Sequence, residues 1–265
     1  MAIIYRGNDL LNRHHDNIRN INIPFNNSDK KYRACRGPSL FAHYKTATML
    51  QIARFTFNLF QENTYLLYDN TGACIIFDPG CFYAHEKEGL KQFIQRNGLR
   101  PERLINTHCH FDHIFGNRFI LETYGLTPEI HPLEQLVLDR AGEAAQRFGV
   151  PYPEPSPPAG RFIEDGEVVV LGGERLEAML APGHSPGSLC FYAPASQLLI
   201  SGDVLFQGGI GRADLPGGDY DTLIQSIHER LMPLDDAVQV YPGHGASTTI
   251  GQERRSNPFL TLGDR

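Results

Sequence analysis

The 265-residue sequence predicts an α/β fold of four layers, two β layers enclosed by two α layers (αββα). Short β-prone runs gather in two places, near residue 50 and near residue 170. A helical pattern follows each gathering. No regular strand–helix alternation of the kind that builds one parallel sheet runs between them, and 41% apolar residues are enough for a sizeable core.

The order of elements begins at a boundary of charge. Residues 1–48 hold eight Lys/Arg against three Asp and no Glu, a formal +5, which leaves −11 for residues 49–265 out of a total of −6. Seven Asn and no sustained period make residues 1–48 a poor core builder, so they read as an N-terminal extension, disordered or not native. Met49 reads as the start of the folded domain, 49–265, and as a candidate start of translation. A targeting arm is the functional alternative, against which stand the three Asp and the lack of a clean amphipathic face. The pair His14-His15 reads as part of a tail.

Ile52, Phe55 and Phe57 then open a meander, with strands at 50–57, 63–68 and 74–77 and a turn at Asp69-Asn70-Thr71-Gly72. Leu90, Phe93 and Ile94 set a helix over 86–97 that Asn97-Gly98 stops. Pro101 leads into a buried strand at 104–106. Helical periods follow over 114–124 and 132–147, around a short strand at 129–131. "VPYPEPSPPAG" places five prolines between Val150 and Gly160, either a lid over a site or a stiff surface connection. Strands resume at 168–171, 175–181, 188–193 and 197–201. A helix over 220–231 carries Leu223, Ile224, Ile227 and Leu231 on one side, and Val238–Tyr241 is the last strand.

Composition narrows the function. An acidic balance argues against nucleic acid as the main partner, because a basic surface is what releases counterions from phosphates. Five cysteines, an odd count with no CxxC pair, suggest neither a disulfide framework nor a zinc ribbon, and point to reduced thiols. No run approaches 18 apolar residues and no secretory signal opens the chain, so a cytoplasmic protein without membrane contact is expected. "GGIGRADLPGG" has the wrong spacing for a phosphate-binding GxGxxG.

What remains is a recurrence of metal-capable side chains at strand ends. "THCHFDH" follows the apolar run Leu104-Ile105, His184 of "APGHSPG" follows the strand ending near Leu180, Asp203 of "LISGD" follows Ile200, and His244 of "YPGHG" follows Tyr241. Five histidines (His108, His110, His113, His184, His244) and two aspartates (Asp112, Asp203) exceed one tetrahedron. Two metals sharing one carboxylate would use all seven; imidazole and carboxylate suit zinc, and also iron or manganese. His43, His85, His131 and His228 read as ordinary surface or core residues.

At these residues the chain resembles the metallo-β-lactamase fold hydrolases, whose HxHxDH signature stands here as His108-Cys109-His110-Phe111-Asp112-His113. The resemblance covers residues 49–265. Within the family it is similar to the short glyoxalase II (hydroxyacylglutathione hydrolase) type, through "LISGDVLFQGGIGRADLPGGDY" and "TTIGQERRSNPFL". It implies an αββα sandwich of the metallo-β-lactamase type and two divalent ions, zinc in the first place. His108, His110 and His184 would take the first metal, and Asp112, His113 and His244 the second, with Asp203 bridging. A hydroxide held between the metals would attack a small-molecule thioester, S-lactoylglutathione giving lactate and glutathione, and Asp112 would orient it catalytically. Only 21 residues follow His244 and Ala246 replaces a tyrosine of the long enzymes, so thioester chemistry transfers better than glutathione specificity.

Three further features are read both ways. Cys109 lies between two ligands, yet strand alternation would turn it away from the metals. Arg212 either pairs with Asp214 or meets an anionic substrate, and Arg254 with Arg255 either binds a substrate carboxylate or sits on an exposed helix face. The rivals to a hydrolase are a persulfide dioxygenase of the same fold, using one iron on two histidines and one aspartate, and a non-catalytic metal-binding module.

Overall fold

Six strands form the first sheet of the computed structural model, which describes residues 50–261. The extension at 1–48, with His14, His15, Cys35 and His43, and the expected start at Met49 lie outside the described residues. The strands β1 (Gln51–Phe57), β2 (Glu62–Tyr68), β3 (Ala73–Phe77), β4 (Arg100–Ile105), β5 (Pro128–Ile130) and β6 (Arg161–Phe162) lie side by side in that order. The first three form the expected antiparallel meander, and β3 to β6 are parallel. The second sheet holds β7 (Val168–Leu171), β8 (Glu174–Leu180), β9 (Leu189–Ala193) and β10 (Leu198–Gly202). A two-stranded ribbon, β11 (Leu205–Phe206) and β12 (Gly209–Ile210), stands apart from it, and β13 (Gln239–Pro242) and β14 (Thr248–Thr249) complete it beyond β10.

Alternation along the strands divides the apolar residues between an inner and an outer face of each sheet. Tyr65, Leu67, Ile75 and Phe77 meet Leu176, Ala178, Leu189 and Phe191 between the sheets. The rings of Phe77 and Phe191 lie 5.1 Å apart at its centre. Outward-facing Leu66, Cys74, Ile76 and Leu104 pack on Leu90 and Ile94 of α1 (Ala84–Arg96). The short α2 (Phe111–Ile114) leads into α3 (Asn117–Tyr124), which adds Ile120 to that layer. Next come α4 (Gln135–Asp139) and α5 (Ala141–Arg147). On the far side, Met179, Cys190, Leu199 and Val240 pack on α6 (Tyr220–Ser226) and on α7 (Ile250–Ser256), followed by α8 (Pro258–Thr261). The expected four layers are therefore present, and each fully buried Leu, Ile or Phe contributes roughly 1.5–3 kcal/mol to holding them together.

Local departures from the sequence reading have local causes. The helix expected over 114–124 is cut at Gly116, whose amide donates to the Pro79 carbonyl at 2.7 Å and whose missing Cβ would come within 2.4 Å of Cys81 Sγ. The helix expected over 132–147 is a 3₁₀ turn followed by α4 and α5, which meet at Arg140. The α6 helix continues to Leu231 as a π-turn. The proline-rich segment is a connection and not a lid: Tyr152 packs near Phe115, Lys87 pairs with Glu154 at 2.6 Å, and Arg118 donates to the Pro155 carbonyl. None of residues 150–160 lines the cavity at the histidine cluster. Among the described residues no helix is long and apolar enough to cross a membrane.

Strand direction positions the functional loops. Strands β8, β10 and β13 run the same way, and so do β3 and β4 in the other sheet. Their carboxyl ends carry the loops that hold His184, Asp203, His244, Asp78 and the HxHxDH run. The Tyr65 hydroxyl of one sheet donates to the Pro242 carbonyl of the other at 2.7 Å, and Asn63 N donates to the Gly243 carbonyl at 2.7 Å.

Candidate metal centre

The seven residues expected to act together do converge. His108 and His110 occupy the loop after β4, while Asp112 and His113 sit on the single turn of α2, so one short stretch supplies donors from two directions. The donor atoms of His108, His110 and His184 lie within 4.8 Å of one another, and so do those of Asp112, His113 and His244. Asp203 stands between the two triads. Its Oδ2 is 3.6 Å from His184 Nε2 and 3.5 Å from His244 Nε2, and its Oδ1 is 3.5 Å from His113 Nε2. All seven side chains are buried except that of His110, which is partly open.

Hydrogen bonds behind the rings decide which nitrogen faces inward. His184 Nδ1 donates to the Arg212 carbonyl at 2.7 Å and His244 Nδ1 to the Phe60 carbonyl at 3.0 Å. His113 Nδ1 lies 3.2 Å from Asp78 Oδ2. Each of these rings therefore turns Nε2, with its lone pair in the neutral form, toward the centre. Two pairs of such nitrogens, His108 with His184 and His113 with His244, face each other at 3.2 Å, an arrangement that a cation between them makes favourable. Asp203 Oδ1 is buried and has no hydrogen-bond partner, as a ligand oxygen would be. The residues fit a divalent-metal site of nitrogen and oxygen donors with two positions.

The electrostatics divide along the same line. Burial, then the neighbouring imidazoles, hold His108 well below its ordinary value, and His110 is brought down to about 3 by burial and His184. His184 is lowered by burial too. Burial also acts against charge on His113 and His244, but Asp203 and Asp112 outweigh it and raise both rings. Burial would push Asp112 and Asp203 up; the surrounding histidines overcome it and hold both carboxyls below the usual range. The centre is thus prepared for positive charge at the second triad and keeps the first as neutral imidazole, the ligating form.

Two supporting carboxylates escaped the sequence reading. Asp78 accepts from Thr107 N at 2.7 Å and from Thr107 Oγ1 at 2.6 Å besides orienting His113, and it holds a left-handed φ of 46°. Its place after the apolar run Cys74–Phe77 repeats the pattern that marked Asp203, so the signal was there. Glu134 gave no such signal. It is fully buried and accepts from Cys109 N at 2.8 Å, from Gly187 N at 2.7 Å and from Ser185 Oγ, tying the loop of His108 and His110 to that of His184.

The remaining candidates separate clearly. Cys109 is fully buried within an apolar cluster beside Phe111 and Ile130, and burial pushes its thiol well up, away from the reactive thiolate. The four described cysteines are free and buried. His131 is buried and caps the 3₁₀ turn by accepting from Leu133 N, His85 stacks on Tyr83, and His228 is exposed on the π-turn. Arg212 forms a two-pronged pair with Asp214 at 2.7 and 2.6 Å while its side chain also lines the cavity. Arg254 follows the second of its two readings: it is exposed on α7, its guanidinium binds the carbonyls of Met232 and Leu234 and the carboxylate of Asp236, and it does not line the cavity. It fastens α7 to the end of the π-turn.

His110, Asp112, His184 and Asp203 form the floor of a cavity of about 740 Å³. Its walls include Leu136, Phe148 and Leu215. A volume between about 300 and 1,000 Å³ is that of a small-molecule site.

Comparison with known proteins agrees with this geometry. The sequence pattern of the metallo-beta-lactamase superfamily matches residues 57–244, which span every one of the seven converging residues. A hydroxyacylglutathione hydrolase, GloC, of Haemophilus influenzae is 41% identical over 204 residues, covering 76% of this chain and 93% of the relative. Among solved structures, the BLEG-1 B3 metallo-beta-lactamase superposes with a TM-score of 0.74 at 36% identity, covering 80% of this chain and all of that one. The protein TTHA1623 in a di-iron-bound form gives 0.71 at 38% identity, covering 78% of this chain and all of the other.

Proposed function

The chain belongs to the metallo-β-lactamase superfamily, and on that premise we propose that it is a dinuclear metal-dependent hydrolase of thioesters, similar in activity to glyoxalase II. One observation carries the reading: two triads of buried donors share Asp203 on the floor of a small-molecule cavity. His108, His110 and His184 would hold one ion and Asp112, His113 and His244 the other. When bound, such a pair supplies a nucleophile from water at neutral pH and polarises a carbonyl. The identity of the H. influenzae relative supports the thioester, and the di-iron structure supports double occupancy, with zinc, iron and manganese all suited to these donors.

The chain's own groups supply the rest. Asp112 stays ionised, lies 3.4 Å from His244 Nε2 and reaches the cavity, so it can orient an attacking water and accept its proton. The HxHxDH loop and the His184 loop keep the donors aligned through Glu134 and Asp78, before any substrate arrives. A leaving thiol with a pKa near ~8.5 departs as thiolate without a strong acid, so none is required of the cavity.

The test pairs two substrates in an oxygen electrode. S-lactoylglutathione should be hydrolysed to lactate and free thiol with no oxygen uptake. Oxygen consumption with glutathione persulfide, the thioester being left intact, would replace the hydrolase by a persulfide dioxygenase. Inertness toward both would leave a metal-binding module.

A further inference from the structure

The cavity has a wall that owes nothing to the metal loops. It is built by α4 and α5 and the turn before them, where Leu136, Arg140, Glu143 and Arg147 recur at spacings of four, three and four and all line the cavity. Two features set this wall apart. Leu133 and Leu136 are 55% and 57% exposed and Phe148 is 40% exposed, three large apolar side chains open to solvent above a polar floor. Arg140 and Arg147 make no hydrogen bond or ion pair through their guanidinium groups among the described residues; Arg175, which is likewise unpaired, does not line the cavity, and Arg161, Arg230 and Arg255 each have a carboxylate partner.

We infer that this wall selects the substrate: a thioester whose apolar arm lies on Leu133, Leu136 and Phe148, and whose carboxylate is met by Arg140 and Arg147. The inference rests on the hydrolase reading and adds the substrate's chemistry to it. Apolar side chains held in water beside a catalytic floor gain free energy when a ligand covers them. Two unpaired guanidinium groups offer the forked donors that match a planar carboxylate. The acids on the same wall leave the arginines available: Asp139 accepts from Gln135 Nε2 at 2.8 Å, Glu143 forms no ion pair with either arginine, and the third cavity arginine, Arg212, is held by Asp214. A negatively charged ligand is thus the complement of this wall, although the domain as a whole is acidic.

The full chain should be assayed with two thioesters of one acyl group, that of glutathione, which carries two carboxylates, and that of N-acetylcysteamine, which carries none. In the double variant Arg140→Gln/Arg147→Gln, KM for the glutathione ester should rise roughly tenfold with kcat nearly unchanged, the loss expected of a charge-assisted hydrogen bond. KM for the neutral ester should not move. Leu136→Ser should raise KM for both esters while light scattering shows the same molecular mass. Equal KM changes for the two esters in the double variant, or none, would overturn the inference and leave the hydrolase reading intact. A fall in mass for Leu136→Ser with KM unchanged would give the wall to a second copy of this chain and overturn it as well. If the wild type turns over neither ester, the hydrolase reading fails and the inference fails with it.

Discussion

Asp203 is the residue on which the centre depends, because its two oxygens reach His184, His244 and His113 and so join the triads. Single changes on either side of it should be equally damaging. His184→Ala and His244→Ala should each lose activity by more than the 10- to 100-fold typical of changes behind a metal ligand, with circular dichroism unchanged, while the exposed His228→Ala should be silent. Small, equal effects at all three would dissolve the centre. The sign of the charge balance is testable as well. His113 and His244 are raised by Asp203 and Asp112, so in the metal-free protein they hold protons to higher pH than a free imidazole, ligation must displace those protons, and apparent metal affinity should rise with pH. Calorimetry in two buffers of different ionisation enthalpy should find net proton release on zinc binding; none at all would contradict the assignment. These seven residues were legible in the sequence because histidine or aspartate beside a strand end is an uncommon pattern that recurred four times. Arg254 stayed open between two readings because a sequence shows a charge but not the carbonyls of Met232 and Leu234 that occupy it.

Elements make the convergence possible. Parallel β8, β10 and β13 end at one edge, so side chains far apart in sequence need only short loops to meet. Glycines let those loops close: a Cβ on Gly243 would come within 2.2 Å of Asp203 Oδ1 and 2.7 Å of His113 Cε1. Glu134 is the tie between two of the loops. Burial raises its acid while Ser185, Gly187 and Cys109 pull it back by hydrogen bonds, and Glu134→Gln would keep one accepting oxygen and set an NH2 group against the donor or donors at the other. That variant should unfold at lower urea, by about 1–3 kcal/mol, with weakened metal retention; an unchanged midpoint and metal content would show that the loops are held otherwise. Strands and the helices over 86–97 and 220–231 were readable because period and stop signals agree with burial. Two-residue β6, β11, β12 and β14 were not, since they hold too few residues for a period, and the break at Gly116 comes from contact with Pro79 and Cys81, remote in sequence.

At the scale of the molecule, the four layers exist to hold one edge rigid. Among the described residues the core between the sheets is formed from β2 to β10, and the sequence of residues 1–48 carries no sustained apolar period. A chain beginning at Met49 should therefore fold and keep its catalysis, measured as turnover and melting temperature against the full chain; precipitation or loss of metal would move the boundary. The charge contrast is what proposes that boundary, while the two-sheet arrangement was visible only as strands gathered in two places, since nothing in a sequence states which sheet a strand joins. The dinuclear centre is the claim on which the rest stands, and counting metal per folded chain tests it most directly. Elemental analysis of the purified native protein should find about two divalent ions per chain, because Asp112, His113 and His244 form a second complete triad. A single iron per chain would contradict it.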